Sequence, residues 1–177
     1  LVVVDWGLSA ADEVFSFASG LNQGEAYWSS TEPVYGNCQQ SCRLALKVDD
    51  YQEEGFYWWI MYAYASFPRR IRCVREPVPG GDNCANWTAP YSEEPVVYHP
   101  GTGHFWQGCT AGKSGVACTE GNSLSLNLAA AEQHCTDLNW GEFDDWYLPD
   151  LNQFASMVDY GVAEEPVLSV ELFPGTD

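Results

Sequence analysis

Seven cysteines, at positions 38, 42, 73, 84, 109, 118 and 135, constrain this chain more than any other feature. None of them lies in the paired CxxC spacing of zinc ribbons and redox motifs, so they read as a disulfide framework and place the chain in an oxidising compartment. An odd number cannot pair completely inside one chain. At most three intrachain bonds form from seven thiols, and at least one cysteine is left free or joined to another subunit. Cys109 and Cys118 enclose a short glycine-rich loop (CTAGKSGVAC), a spacing that suits a local bond. Cys38 and Cys42 (CQQSC) are candidates to close a second tight loop.

The rest of the composition narrows what the framework supports. A chain of 177 residues, 46% of them hydrophobic, is enough for one core and too short for two large ones. Eight Trp and ten Tyr call for a β-rich interior, an adhesive surface, or both. The formal net charge of −18 repels phosphate backbones and anionic membranes, which argues against a nucleic-acid partner. A highly soluble surface accounts for most of this excess, and an acidic face that meets calcium or a basic partner is the alternative. Six of the seven bases lie within residues 1–76, and Lys113 is the one base beyond them. No stretch reaches the roughly 18 uninterrupted apolar residues of a membrane span, so none is expected. The chain opens at Leu1 without a Met, which suggests a processed chain or a fragment.

Patterning divides the chain into unlike parts. The stretch from residue 77 to residue 95 is dense in Pro, Gly and acids and reads as a linker. Before it, the chain alternates like sheet: Leu44, Leu46 and Val48 share a face of RLALKV, Phe56 to Tyr64 is an aromatic run, and Ile71 and Cys73 share a face of RIRCVR. After it come helices. Leu128, Ala131, Cys135 and Leu138 recur at helical spacing behind polar starters at Ser125 and Asn127. Asp150 and Gln153 form a capping-box pattern after Pro149, opening a helix with Leu151, Phe154 and Val158 inward and Gly161 as its stop. Val3-Val4-Asp5-Trp6-Gly7 is echoed by Met157-Val158-Asp159-Tyr160-Gly161, an internal repeat at opposite ends of the chain.

Five motifs carry a resemblance: Tyr27-Trp28-Ser29-Ser30-Thr31, Ile71-Arg72-Cys73-Val74-Arg75, Trp106-Gln107-Gly108-Cys109, Asp145-Trp146-Tyr147-Leu148-Pro149 and Val158-Asp159-Tyr160. Together they resemble the Lcl C-terminal domain family, secreted bacterial modules related to the C-type-lectin-like fold. YWSST and RCVR are the specific ones. Tyr147 stands where the family usually has Arg. The resemblance implies an α+β, C-type-lectin-like fold with two short helices, a twisted antiparallel sheet, long loops and disulfides. It also implies an extracellular or cell-surface bacterial location and a bond between the first helix and the last strand, positions held here by Cys135 and Cys73, within one chain or across two. Cys84 is then the odd thiol, free or intermolecular. The family's motif order is out of phase here. Residues 1–76 look like the strand half that ends one repeat, and residues 96–177 like the helical half that begins the next.

Chemistry-bearing patterns are weak. Gly112-Lys113-Ser114 lacks the first glycine of a phosphate loop, there is no G-x-S-x-G elbow, and His99, His104 and His134 have no ligand spacing. An enzyme is not expected, and neither is a cofactor beyond calcium. Asp49, Asp50, Asp144 and Asp145 are the weak calcium candidates, and Asn86 opens a glycosylation sequon. The run containing Tyr57, Trp58, Trp59 and Tyr62 cannot put every ring on one face of a strand, so one face is core and the other a candidate contact surface for sugars or for another subunit. Two functions follow. One is an extracellular structural or adhesive module whose half-domains complement one another between copies, head to tail, with Cys73 bonded to Cys135 across subunits. The other is a discrete carbohydrate-binding lectin, for which the basic strand Arg69, Arg70, Arg72 and Arg75 would have to form an isolated patch to accept a sulfated glycan.

Overall fold

The computed structural model describes residues 26–32, 42–48, 58–76, 93–157 and 173. Among the described residues five strands precede the linker: β1 (Ala26–Trp28), β2 (Cys42–Val48), β3 (Trp58–Tyr64), β4 (Arg69–Arg70) and β5 (Val74–Arg75). After it come β6 (Val96–Tyr98), β7 (Phe105–Gln107), β8 (Lys113–Ser114), β9 (Glu120–Gly121) and β10 (Ser125–Leu126), then helices α1 (Leu128–Thr136) and α2 (Leu151–Met157). The coarse fold is therefore α+β, with two short helices among the described residues, small and mostly antiparallel sheets, and disulfides.

One sheet runs β10-β4-β1-β2-β3, a second runs β5-β7-β6, and β8 pairs with β9. Both larger sheets mix strands from either side of the linker. Arg70 of β4 lies between Tyr27 of β1 and Ser125 of β10, and Val74 of β5 pairs with Trp106 of β7 and with Tyr147. In one chain, then, the strand half and the helical half complete each other. This is the within-chain arrangement of the two that the motif order leaves open, and the Cys73–Cys135 bond is likewise within the chain. Chain length permits it, because the sixteen residues 77–92 reach up to about 50 Å when extended, ample to return the chain to its own first half.

The expectation for RIRCVR also needs revision. It is not one strand: β4 ends in the first sheet, Ile71 to Cys73 cross over, and β5 begins in the second. Alternation nevertheless survives the crossing. Ile71 and Cys73 enter one core cluster with Trp28, Ala45, Phe105 and Trp146, while Arg72 between them stacks on Tyr27 and Phe173 of a second cluster. The second sheet separates the two clusters by its pleat. Val74, Val97 and Trp106 face Phe154 and Met157 of α2, and Phe105 and Val96 face the first cluster.

Both helices start where their side chains cap them. Asn127 Oδ1 accepts from the Ala130 N–H at 3.0 Å, and α1 then buries Leu128, Ala131 and Cys135. Leu138 is half-buried just past its end. Asp150 and Gln153 form the reciprocal capping box, each side chain accepting the other's backbone N–H at 2.8 Å. From there α2 buries Phe154 and Met157, while Val158 and Gly161 lie outside the described residues. The end of the linker is bound into the helical half, since Pro95 O accepts from Gly108 N–H and from Trp140 Nε1, both at 2.8 Å.

Candidate functional site

The candidate site lies along the seam between residues 26–76 and residues 93–157. Its centre is the Cys73–Cys135 disulfide, with a Cα–Cα distance of 5.6 Å, which ties the residue before β5 to the last turn of α1 inside the first core cluster. Cys109–Cys118, at 5.3 Å, closes the glycine-rich loop that carries β8, as its spacing suggests. Gly112 in that loop has φ +87°, and an added Cβ there would lie 2.3 Å from Asn122 O, so only glycine fits the turn. Cys42 opens β2 opposite Tyr64 of β3. Cys38 and Cys84 lie outside the described residues, as do Asp49, Asp50, Tyr57 and Asn86. Of the aromatic run, the backbones of Trp58, Trp59 and Tyr62 pair with Val48, Lys47 and Leu44 of β2. Beyond them Tyr64 and Phe67 form an exposed edge-to-face pair with ring centroids 5.9 Å apart.

The arginines do not form a surface patch. Arg69, Arg72 and Arg75 are 5%, 1% and 6% exposed, and Arg70 is half-buried, so the isolated basic surface required for a sulfated ligand is not built. Burial instead turns Arg72 and Arg75 into ties across the seam. Arg72 donates through Nη1 to Gln107 O and Gly108 O and through Nη2 to Thr110 Oγ1, and its guanidinium lies 4.9 Å from the Phe173 ring centroid. Desolvation pulls its pKa below the ordinary arginine range, with Tyr27 opposing.

Arg75 makes a two-point contact with Asp145, Nε to Oδ1 at 2.5 Å and Nη2 to Oδ2 at 2.8 Å, and lies over Phe143 at 3.9 Å from the ring centroid. That contact engages both carboxylate oxygens of Asp145, one of the weak calcium candidates. Among the described residues no group of three or more His, Cys, Asp or Glu side chains is placed to hold a metal ion. Asp144 beside it is exposed.

The hydrogen bond from Arg75 holds the Asp145 carboxyl below the usual carboxylate range. A depressed carboxylate contributes stability above its unfolded pKa and loses it as pH falls through the folded value. Asp145→Asn should therefore cost about 1 kcal/mol at pH 7, a modest figure because the carboxylate side is exposed. The gap between variant and native protein should narrow in thermal melts at pH 3. An equal gap at both pH values would show that the ion pair is not what the carboxylate contributes.

A second polar group closes the same end of the seam. Tyr147 Oη donates to Glu76 Oε1 at 2.6 Å and accepts from Gln153 Nε2 at 2.7 Å, and Gln153 Nε2 also meets His104 Nε2 at 3.2 Å. Burial, and then the bond to Glu76, push the Tyr147 phenol above its ordinary pKa. Sequence reasoning named Tyr147 and the capping box but not their junction with Glu76 and His104, because the four residues are brought together only by the pairing of β5 with β7 and with Tyr147.

The chain matches no family model, no curated protein and no solved structure. Its function therefore has to be argued from the seam itself.

Proposed function

We propose that the chain is an extracellular structural or adhesive module of C-type-lectin-like architecture, related to the Lcl C-terminal domain, that works by association rather than catalysis. The observation that carries this reading is the complementarity of its halves: residues 69–76 are held by β7, β10, Tyr147 and Cys135, all from beyond the linker. A seam that one chain closes on itself is also available to a neighbour, since the same donor and acceptor surfaces meet in either case. Exchange of the strand half between copies is heterologous, and a heterologous contact that does not close into a ring extends head to tail. The Cys73–Cys135 and Cys109–Cys118 disulfides and the YWSST and RCVR resemblance support an extracellular, bacterial setting.

Light scattering across a concentration series after refolding, with non-reducing gels alongside, tests the association. Oligomers growing with concentration, linked by bonds that reductant breaks, are expected. A monodisperse monomer at every concentration overturns the assembling reading. The exposed Tyr64–Phe67 pair supports the second reading in that event, a discrete lectin, because exposed rings are what sugars stack on. Neutral rather than sulfated glycans would then be the ligands, given that Arg69, Arg72 and Arg75 are buried and offer a polyanion no surface charge.

A further inference from the structure

The junction of Glu76, His104, Tyr147 and Gln153 contains a constraint that sets the protonation of the histidine. A backbone N–H can only donate. Because Asp150 N–H points at Gln153 at 2.8 Å, the amide oxygen of Gln153 is the atom that faces it, and Nε2 faces the other way. The two N–H bonds of Nε2 then go to Tyr147 Oη and to His104 Nε2, so His104 Nε2 must be bare and its proton must sit on Nδ1. That Nδ1 is buried and has no hydrogen-bond partner. Glu76 Oε2 meanwhile waits 3.6 Å from Nε2, on the other side of the linker.

We propose that this junction is a proton-operated latch between the two halves of the chain. Neutral His104 accepts from Gln153 and steadies the cap of α2. Protonated His104 presents N–H to N–H against Gln153, releases it, and turns to the Glu76 carboxylate. Gln153 has no way to adapt by flipping, because its nitrogen would then confront the Asp150 N–H and dismantle the capping box. The choice is therefore between two discrete arrangements. Other titratable groups lie around the junction: His99, whose backbone N–H donates to His104 O across the β6–β7 turn, and Tyr147 and Asp150, both hydrogen-bonded to Gln153. His99 is held below the ordinary histidine pKa by burial and then by His104. Tyr147, raised by burial, remains a donor to Glu76 throughout. The latch does not depend on the proposed assembly.

Nitrogen spectra of the His104 ring test the first step, and corrected amide exchange in α2 the second. At neutral pH the spectra should show Nδ1 protonated and Nε2 bare. As pH falls through the range where histidines titrate, exchange of the first-turn amides of α2 should accelerate roughly tenfold, about the effect of losing one cap. His104→Phe should abolish that dependence. Gln153→Glu should reverse it, since a carboxylate accepts from protonated Nε2 while still accepting from Asp150. A proton on Nε2 at neutral pH overturns the proposal, and so does α2 exchange that ignores the titration of His104. If His104→Phe does not fold, the ring spectra and the glutamate variant still decide.

Discussion

Cys73→Ser should lower stability by about 4 kcal/mol, near the top of the range for losing a native bond from a small secreted domain. The bond spans 62 residues of sequence, against 9 for Cys109–Cys118. In the loop-entropy account a closed loop of the longer size is worth about 4 kcal/mol and one of the shorter size about 2.5. Burial adds to the difference, because Cys73 and Cys135 are both fully enclosed in the first core cluster and a serine hydroxyl placed there loses its water. Cys73→Ser should therefore destabilise the fold more than Cys38→Ser, whose expected partner Cys42 is only four residues away. Cys135→Ser should match Cys73→Ser, and the double variant should cost little more than either, since all three remove one bond. Thermal melts of the four proteins decide the matter. Equal melting temperatures for Cys73→Ser and Cys38→Ser would contradict the assignment of the seam bond as the fold's main staple.

Much of this was legible before the structure. Helix α1 was readable because Leu128, Ala131 and Cys135 repeat at helical spacing and Asn127 is a good cap, both local properties of a short segment. The α2 start was readable for the same reason. The RIRCVR segment was not, because alternation tells which side chains share a face but not when the backbone leaves one sheet for another. Only β1, β10 and β7, distant in sequence, impose that crossing. The buried arginines were missed by the same logic in reverse. Four bases in seven residues read as a surface strand until the carbonyl, aromatic and carboxylate partners of Arg72 and Arg75 from beyond residue 100 are in place. The pairing of Asp145 with Arg75 was not legible either, because a carboxylate's partner is invisible in a sequence.

Arg72 is the residue at which that hidden pairing has its largest expected effect. The side chain is 1% exposed, and its guanidinium fork reaches Gln107 O and Gly108 O through one nitrogen and Thr110 Oγ1 through another. Tyr27 donates or accepts at the same Thr110 hydroxyl at 2.8 Å, so the arginine sits in a network that joins β1, the crossing and the segment after β7. Removing it has two separable costs. The space it fills between Tyr27 and Phe173 becomes a cavity, and two buried carbonyls lose a charge-assisted donor. Arg72→Ala incurs both and should cost about 4 kcal/mol or more, in the range reserved for broken buried networks. Arg72→Met keeps most of the volume and should cost roughly 2 kcal/mol, the share of the unsatisfied carbonyls. Arg72→Lys is not conservative here, because a single ammonium cannot span acceptors placed for a planar fork and is harder to strip of water. It should fall closer to alanine than to methionine. Denaturant unfolding of the three variants gives the order directly. A lysine variant as stable as the native protein would mean that charge alone, and not the fork, holds the seam.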